Sequence, residues 1–260
     1  MRIALGIEYN GAGFHGWQTQ QQGIRSVQQT LEQAVATVAN HAVRVHCAGR
    51  TDTGVHALEQ VIHFDTEARR PQRAWTQGVN VNLPDDVSVL WAAQVPERFH
   101  ARFSAYRRSY CYQILNRPLR SALAHRRATW IHRRLDAGLM HSAAQVLLGT
   151  HDFSSYRALG CQAKSPVRTV HHLSVERHGE FLELRIEADA FLHHMVRNIA
   201  GVLIAIGQGK AGSEWAQEVL ELRDRRLGGV TAPPDGLYLE RVQYPAEFQL
   251  PETSSSSYKC

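Results

Sequence analysis

Lysine is nearly missing from this chain and stands only at positions 164, 210 and 259. The cationic charge is therefore almost all arginine, and it leaves a formal net charge of +5 over 260 residues. Arginine makes bidentate contacts with phosphate and stacks on bases, whereas lysine is a point charge. A basic balance of this kind favours an anionic partner. Cysteine is scarce too: Cys47, Cys111, Cys161 and Cys260 form no C-x-x-C pair. Their spacing points to neither a zinc site nor a disulfide framework. No apolar run approaches membrane length, so no membrane association is expected. The opening Arg2-Ile3-Ala4-Leu5-Gly6-Ile7-Glu8-Tyr9 alternates like a strand and lacks the organisation of a signal peptide. A cytoplasmic location is the expectation. What remains, 43% hydrophobic and 20% charged residues, is a globular balance. The length suffices for one large domain or two lobes.

One stretch organises the rest: Ala48-Gly49-Arg50-Thr51-Asp52-Thr53-Gly54-Val55-His56-Ala57. It follows the alternation Val43, Val45, Cys47, which reads as a strand. Gly49 and Gly54 bracket its polar centre and permit unusual backbone angles. A strand followed by such a loop presents a side chain at a sheet edge. Asp52 is the candidate, with Arg50 two residues before it. The structural alternative is an Asx-turn made by the same aspartate.

Taken in order, Ile3 to Tyr9 is a first strand, and Ser26 starts a helix with Val27, Leu31, Ala34, Val35 and Val38 on one face. Strands follow at Val43–Cys47, Val61–Phe64 and Val87–Val95, with a short helix from Ala74 to Val79. This β-α-β-β-α-β order is the split βαβ pattern of a ferredoxin-like unit. The second part repeats it. Strands are expected at Tyr106–Leu115, Val167–Glu176, Phe181–Ala188 and Gly236–Val242. Helices are expected at Asp136–Leu148, Leu192–Ile206 and Glu214–Leu222. The fold class is therefore α+β: two ferredoxin-like lobes with mainly antiparallel sheets around a central cleft. The expected division is 1–104, 105–246 and a disordered tail at 247–260, serine-rich toward its end.

Between Phe99 and Tyr112 arginines are dense, and Tyr106, Arg108, Tyr110 and Tyr112 share one strand face. Such a face stacks bases and meets phosphates, or else pairs aromatics across a half-buried sheet. His193 and His194 are adjacent on the expected helix and so diverge. They do not make the i, i+4 pair of a zinc protease, and no metal is expected.

Five stretches together resemble the bacterial tRNA pseudouridine synthase A family, from Met1 to about Pro245. They are Phe14-His15-Gly16-Trp17-Gln18, Gly49 to Ala57, Phe99-His100-Ala101-Arg102-Phe103-Ser104, Phe191-Leu192-His193-His194-Met195-Val196-Arg197-Asn198, and Ala232-Pro233-Pro234-Asp235-Gly236-Leu237. The resemblance implies a cofactor-free homodimer whose subunits carry two RNA-recognition-like halves. It implies conversion of uridines 38, 39 and 40 of the tRNA anticodon arm to pseudouridine. By the same resemblance Asp52 is the essential aspartate and Arg197 its basic partner. Arg50 displaces the target base, and Tyr110 packs on the uracil, although Tyr112 shares its face. Thr51 and His56 of the aspartate motif, with Arg102 and Arg108, are candidates for holding the substrate. Tyr106 is larger than the family usually has there, and the serine-rich tail lies outside the pattern.

Two other classes fit parts of the sequence. Asp52-Thr53-Gly54 is also the triplet of aspartic proteases, which need two carboxylates sharing a proton. This chain has one such triplet, with Arg50 beside it. A non-catalytic RNA-binding protein would use the arginines and tyrosines but leaves the Asp52 loop without a purpose.

Overall fold

The computed structural model describes residues 1–21 and 23–251. The chain forms two compact units. One is Met1–Arg107 with the described residues after Leu237; the other is Arg108–Leu237. Each mixes helices with a mainly antiparallel sheet.

In the first unit, β1 (Arg2–Tyr9) runs antiparallel to both its neighbours, β3 (His56–Asp65) and β4 (Val87–Val95). Ile3, Leu5 and Ile7 are buried as their alternation requires, and Ala4 on the opposite face is buried as well. Helix α1 (Val27–Ala39) starts where expected: the Ser26 hydroxyl accepts the Gln29 N–H at 3.3 Å. It ends at Asn40 in the left-handed conformation. Val27, Leu31, Ala34 and Val35 are buried, and Val38 half-buried.

Strand β2 is shorter than expected, covering His46–Cys47 only. Val43 and Val45 are buried all the same, but the Val45 N–H donates to the Glu32 carboxylate at 3.2 Å instead of to a strand. The segment Ala74–Gly78 is a single wide helical turn that sets Trp75 edge-on against Phe64. Flanking side chains cover part of the free edge of β4. Asn80 bonds both the N–H and the C=O of Val89, and Gln72 donates to the Ala92 carbonyl. Covering an edge this way blocks its use as a template for another strand.

The last strand, β10 (Leu237–Gln243), was expected in the second lobe, and its residues after Leu237 belong to the first unit. It joins the first unit in parallel with β3, Tyr238 opposite His56 and Leu239 opposite Ala57. The following chain is anchored too. Phe248 is buried, with its ring 5.1 Å from that of Phe99. Residues 247–251 of the expected tail are thus part of the unit, and 252–260 lie outside the described residues.

In the second unit β5 (Arg107–Asn116), β9 (Phe181–Ala188), β8 (Val167–His178) and β7 (Gly149–Asp152) follow one another as antiparallel neighbours. A further short strand, β6 (Thr129–Ile131), runs parallel to β5. Strands this short leave no readable alternation, so neither β6 nor β7 was expected. Helix α2 (Ala137–Ala144) packs on β8 and on α3 (Met195–Gly207), and α4 (Trp215–Leu222) packs on α3. The expected apolar face of α3, Met195, Val196, Ile199, Val202, Leu203 and Ile206, is buried, as is Leu192 just before it.

Candidate active site

The candidate residues divide between the two units. In the first, the Asp52 loop is held from two directions. The Phe14–Trp17 stretch packs along one side: the Trp17 N–H donates to the Thr51 carbonyl at 3.0 Å, and the Gly54 N–H to the Phe14 carbonyl at 3.3 Å. Gly16 lies in the left-handed region (φ +90°), and a Cβ there would stand 2.9 Å from the Thr51 carbonyl oxygen. Two of the sequence's motifs therefore form one structural element. On the other side lies Gln60 of β3, fully buried. Its side-chain oxygen accepts from Ala48 and Gly49 N–H, and its amide donates to the Gly49 carbonyl at 2.6 Å. Gln60 was missed in the sequence because a polar residue within a strand pattern carries no signal of what it reaches.

The bracketing glycines differ. Gly54 takes the left-handed conformation (φ +81°), as expected. Gly49 does not; its peptide groups are instead those that Gln60 binds. Asp52 is half-buried, and its carbonyl accepts the Val55 N–H at 3.1 Å.

Arg50 and Arg102 are exposed, and both lie close enough to Cys47 for their charge to favour its thiolate. Burial outweighs them and pushes the thiol up to about 12, so Cys47 is inert at neutral pH. Thr51 and His56, expected at the substrate, are buried and turned inward. The Thr51 hydroxyl meets that of Tyr9, His56 Nδ1 accepts the Gly11 N–H at 3.0 Å, and the His56 ring stacks on Tyr238 at 4.6 Å. Both brace the loop.

Three histidines cluster in the first unit. The rings of His63 and His100 lie 4.6 Å apart, with His46 5.0 Å from His63. The Nδ1 of His63 accepts the Ala101 N–H, and that of His100 accepts the Arg102 N–H, each at 3.1 Å. This cluster fastens the Phe99–Ser104 stretch to β3.

In the second unit, Tyr110 and Tyr112 of β5 have different surroundings. Tyr112 is fully buried. Its hydroxyl is 2.6 Å from that of Thr129 and donates to the Pro233 carbonyl at 2.9 Å. Burial raises its pKa above the ordinary tyrosine value. Tyr110 is 8% exposed, and Phe191 meets its ring edge-on at 4.8 Å. Arg108 is buried and donates to the Asp189 carbonyl at 3.0 Å. This bond is to the protein itself, where the sequence pattern suggested a phosphate contact.

Arg197 is half-buried between Val196 and Asn198, both of which are buried and not at the margin of the apolar face. Its Nε donates to the Ala232 carbonyl at 2.9 Å, and the Ala232 N–H returns a bond to the Arg197 carbonyl. The guanidinium is thereby aimed by the Ala232–Leu237 motif, which Tyr112 holds in turn. His193 and His194 precede α3 instead of lying on it, and His194 is left-handed (φ +62°).

A family model described as tRNA pseudouridine synthase matches residues 6–104 and 143–245. The chain belongs to the tRNA pseudouridine synthase family. The match takes in Arg50, Asp52, Arg102 and Arg197, whereas Arg108 and Tyr110 fall between its two parts. Curated relatives span the whole region. The chain is 60% identical to tRNA pseudouridine synthase A of Pseudomonas aeruginosa, over 96% of this chain and 88% of the relative. It is 58% identical to the enzyme of that name from Methylococcus capsulatus, over 96% and 92%. To that from Nitrosococcus oceani it is 58% identical over 98% of each chain.

Proposed function

We propose that this member of the tRNA pseudouridine synthase family acts on uridines 38, 39 and 40 of the anticodon arm, with Asp52 as nucleophile. The observation that carries this reading is the investment in one loop. Two glycine-containing motifs, a buried glutamine and a buried threonine fix the backbone around a single half-buried carboxylate. Such rigidity suits a group that must meet a reacting atom within a fraction of an ångström. A protein that only bound RNA would gain nothing from an acidic side chain held there.

The reaction breaks the N1–C1′ bond, turns the uracil and joins C5 to C1′. The C5 proton is lost and N1 gains one, so the product is an isomer and no redox partner enters. Asp52 serves as the nucleophile, and Arg197, by the family resemblance, as its basic partner. The target uridine leaves its stack first, at a cost of a few kcal/mol. Arg50, exposed beside Asp52, fills the gap, and Tyr110 offers its ring to the extruded uracil. Arg102 holds RNA phosphate. Thr51, His56 and Arg108 act through the backbone they hold. We further propose a cytoplasmic homodimer, which light scattering on the purified protein would test.

Tritium release from tRNA transcribed with 5-tritiated uridine tests the core of this proposal, since C5 must shed its hydrogen for the new bond to form. Wild type should release label and Asp52→Asn none, with tRNA binding retained. Release by Asp52→Asn at the wild-type rate would remove Asp52 from the chemistry. Binding without release by either protein would leave an RNA-binding protein. Sequencing the modified positions separates 38–40 from other sites.

A further inference from the structure

The segment between β5 and α2 has no place in the chemistry above, yet it is rich in arginine. Residues 117–134 contain Arg117, Arg120, Arg126, Arg127, Arg133 and Arg134 and no aspartate or glutamate. Six cations exceed the +5 of the whole chain, so this one segment accounts for the basic excess. Most of it falls on the surface. Arg120, Arg126, Arg127, Arg133 and Arg134 are exposed, with His125 and His132 among them. Arg117 is ion-paired to Glu180 at 2.9 Å. The guanidinium groups of Arg120, Arg126, Arg133 and Arg134 make no hydrogen bond or ion pair among the described residues. Leu119 and Leu123 stand 78% and 92% exposed beside them.

The segment is nevertheless built. Trp130 Nε1 donates to the Arg117 carbonyl at 3.0 Å and closes the loop at its base. Arg127 and Ala128 N–H both donate to the Ala124 carbonyl, around a left-handed Arg126. The Asn116 side chain donates to the carbonyls of Ile131 and Arg133 and accepts from the Leu135 N–H. Like charges so placed repel one another, a cost that a bound polyanion offsets. Five residues of β5 lie between Tyr110 and Asn116, which puts the two about 20 Å apart along a strand. The base of the loop is thus well removed from Tyr110, although Thr129 within the segment reaches Tyr112, and the segment lies in the gap between the two parts of the family match.

We infer that residues 117–134 form a second RNA-binding surface, which grips tRNA phosphates away from the reacting uridine. It rests on tRNA being the substrate but not on which uridine is converted. It sets affinity and leaves the chemical step alone.

The test is the salt dependence of tRNA binding, measured with the full-length protein and an unmodified full-length transcript. Replacing Arg120, Arg126, Arg133 and Arg134 together by glutamine should make the slope of log affinity against log salt shallower by about three. Affinity near physiological salt should fall by at least roughly tenfold. The single-turnover rate at saturating tRNA should stay within about twofold, because no group at the reacting base is touched. A second variant with lysine at all four positions should keep the wild-type slope, since charge and not fork geometry is required. A glutamine variant with wild-type slope and affinity would overturn the inference. So would a lysine variant as weak as the glutamine one, or loss of binding to anionic vesicles with tRNA binding unchanged. The binding readout does not depend on the position modified, so a different target uridine would leave it standing.

Discussion

The hydroxyls of Tyr9 and Thr51 meet at 2.8 Å inside the first unit, tying the end of β1 to the residue before Asp52. Thr51→Val keeps the shape and removes the bond. It should cost about 1 kcal/mol of stability and lower turnover by more than that loss explains, because the carboxylate next to it is no longer fixed. Urea unfolding and tritium release on the same variant separate the two effects.

Gly16 carries a conformational demand as well as a steric one. Gly16→Ala should destabilise by about 1–2 kcal/mol from the left-handed backbone alone, with the Thr51 carbonyl forced to move in addition. Gly160→Ala is the control: a Cβ there meets nothing within 4 Å, and its φ is not left-handed. Thermal unfolding of the pair should show a drop for the first and none for the second.

Gln60→Leu fills the same space and strips Gly49 of its partners. Unmet buried peptide groups cost about 1–3 kcal/mol each. The expected result is a matching loss of stability, with amide exchange at Gly49 accelerated far beyond that in β1, while Ala48 keeps its bond to the Val61 carbonyl. Uniform acceleration through the unit would show that Gln60 supports the sheet and not the loop.

His63 makes stability depend on pH. Its pKa is lowered to about 3, by burial first and then by His100, Arg2 and His46. Unfolded histidine titrates near 6.5. Between those values the unfolded chain binds the extra proton, so stability is full above about 6.5 and is lost as pH falls toward 3. His100 shifts in the same direction. His63→Asn should flatten the dependence of the urea midpoint on pH between 4 and 7. An unchanged slope would place its origin in other groups.

Periodicity exposed the long elements. The alternating face of β1, the buried side of α3 and the Ser26 cap follow from residue spacing, whereas the burial of Ala4 on the other face of β1 does not. Bonds between side chain and backbone over long sequence distances do not show in that way. Glu32 delays the start of β2, Gln60 holds the loop, and Asn116 gathers the β6 region. The site was legible as motifs, and the roles within the motifs were less so. Thr51, His56 and Arg108 have the composition of ligand-binding residues, yet each bonds at least one polar atom to the protein. Tyr110 and Tyr112 share a strand face, and only the burial of Tyr112 and its bonds to Thr129 and Pro233 tell them apart.

The return of β10 to β3 has a consequence for synthesis on the ribosome. The stacking partner of His56 is Tyr238, and the strand beside His56 and Ala57 arrives only after Arg108–Leu237 has been made. At 5–20 residues per second, those 130 residues delay it by roughly 6–26 s. Through that interval the nascent chain carries its aspartate loop on an unfinished sheet. The protein therefore reaches its working form only near the end of translation, and a message cut short before Leu237 yields a first unit without its closing strand.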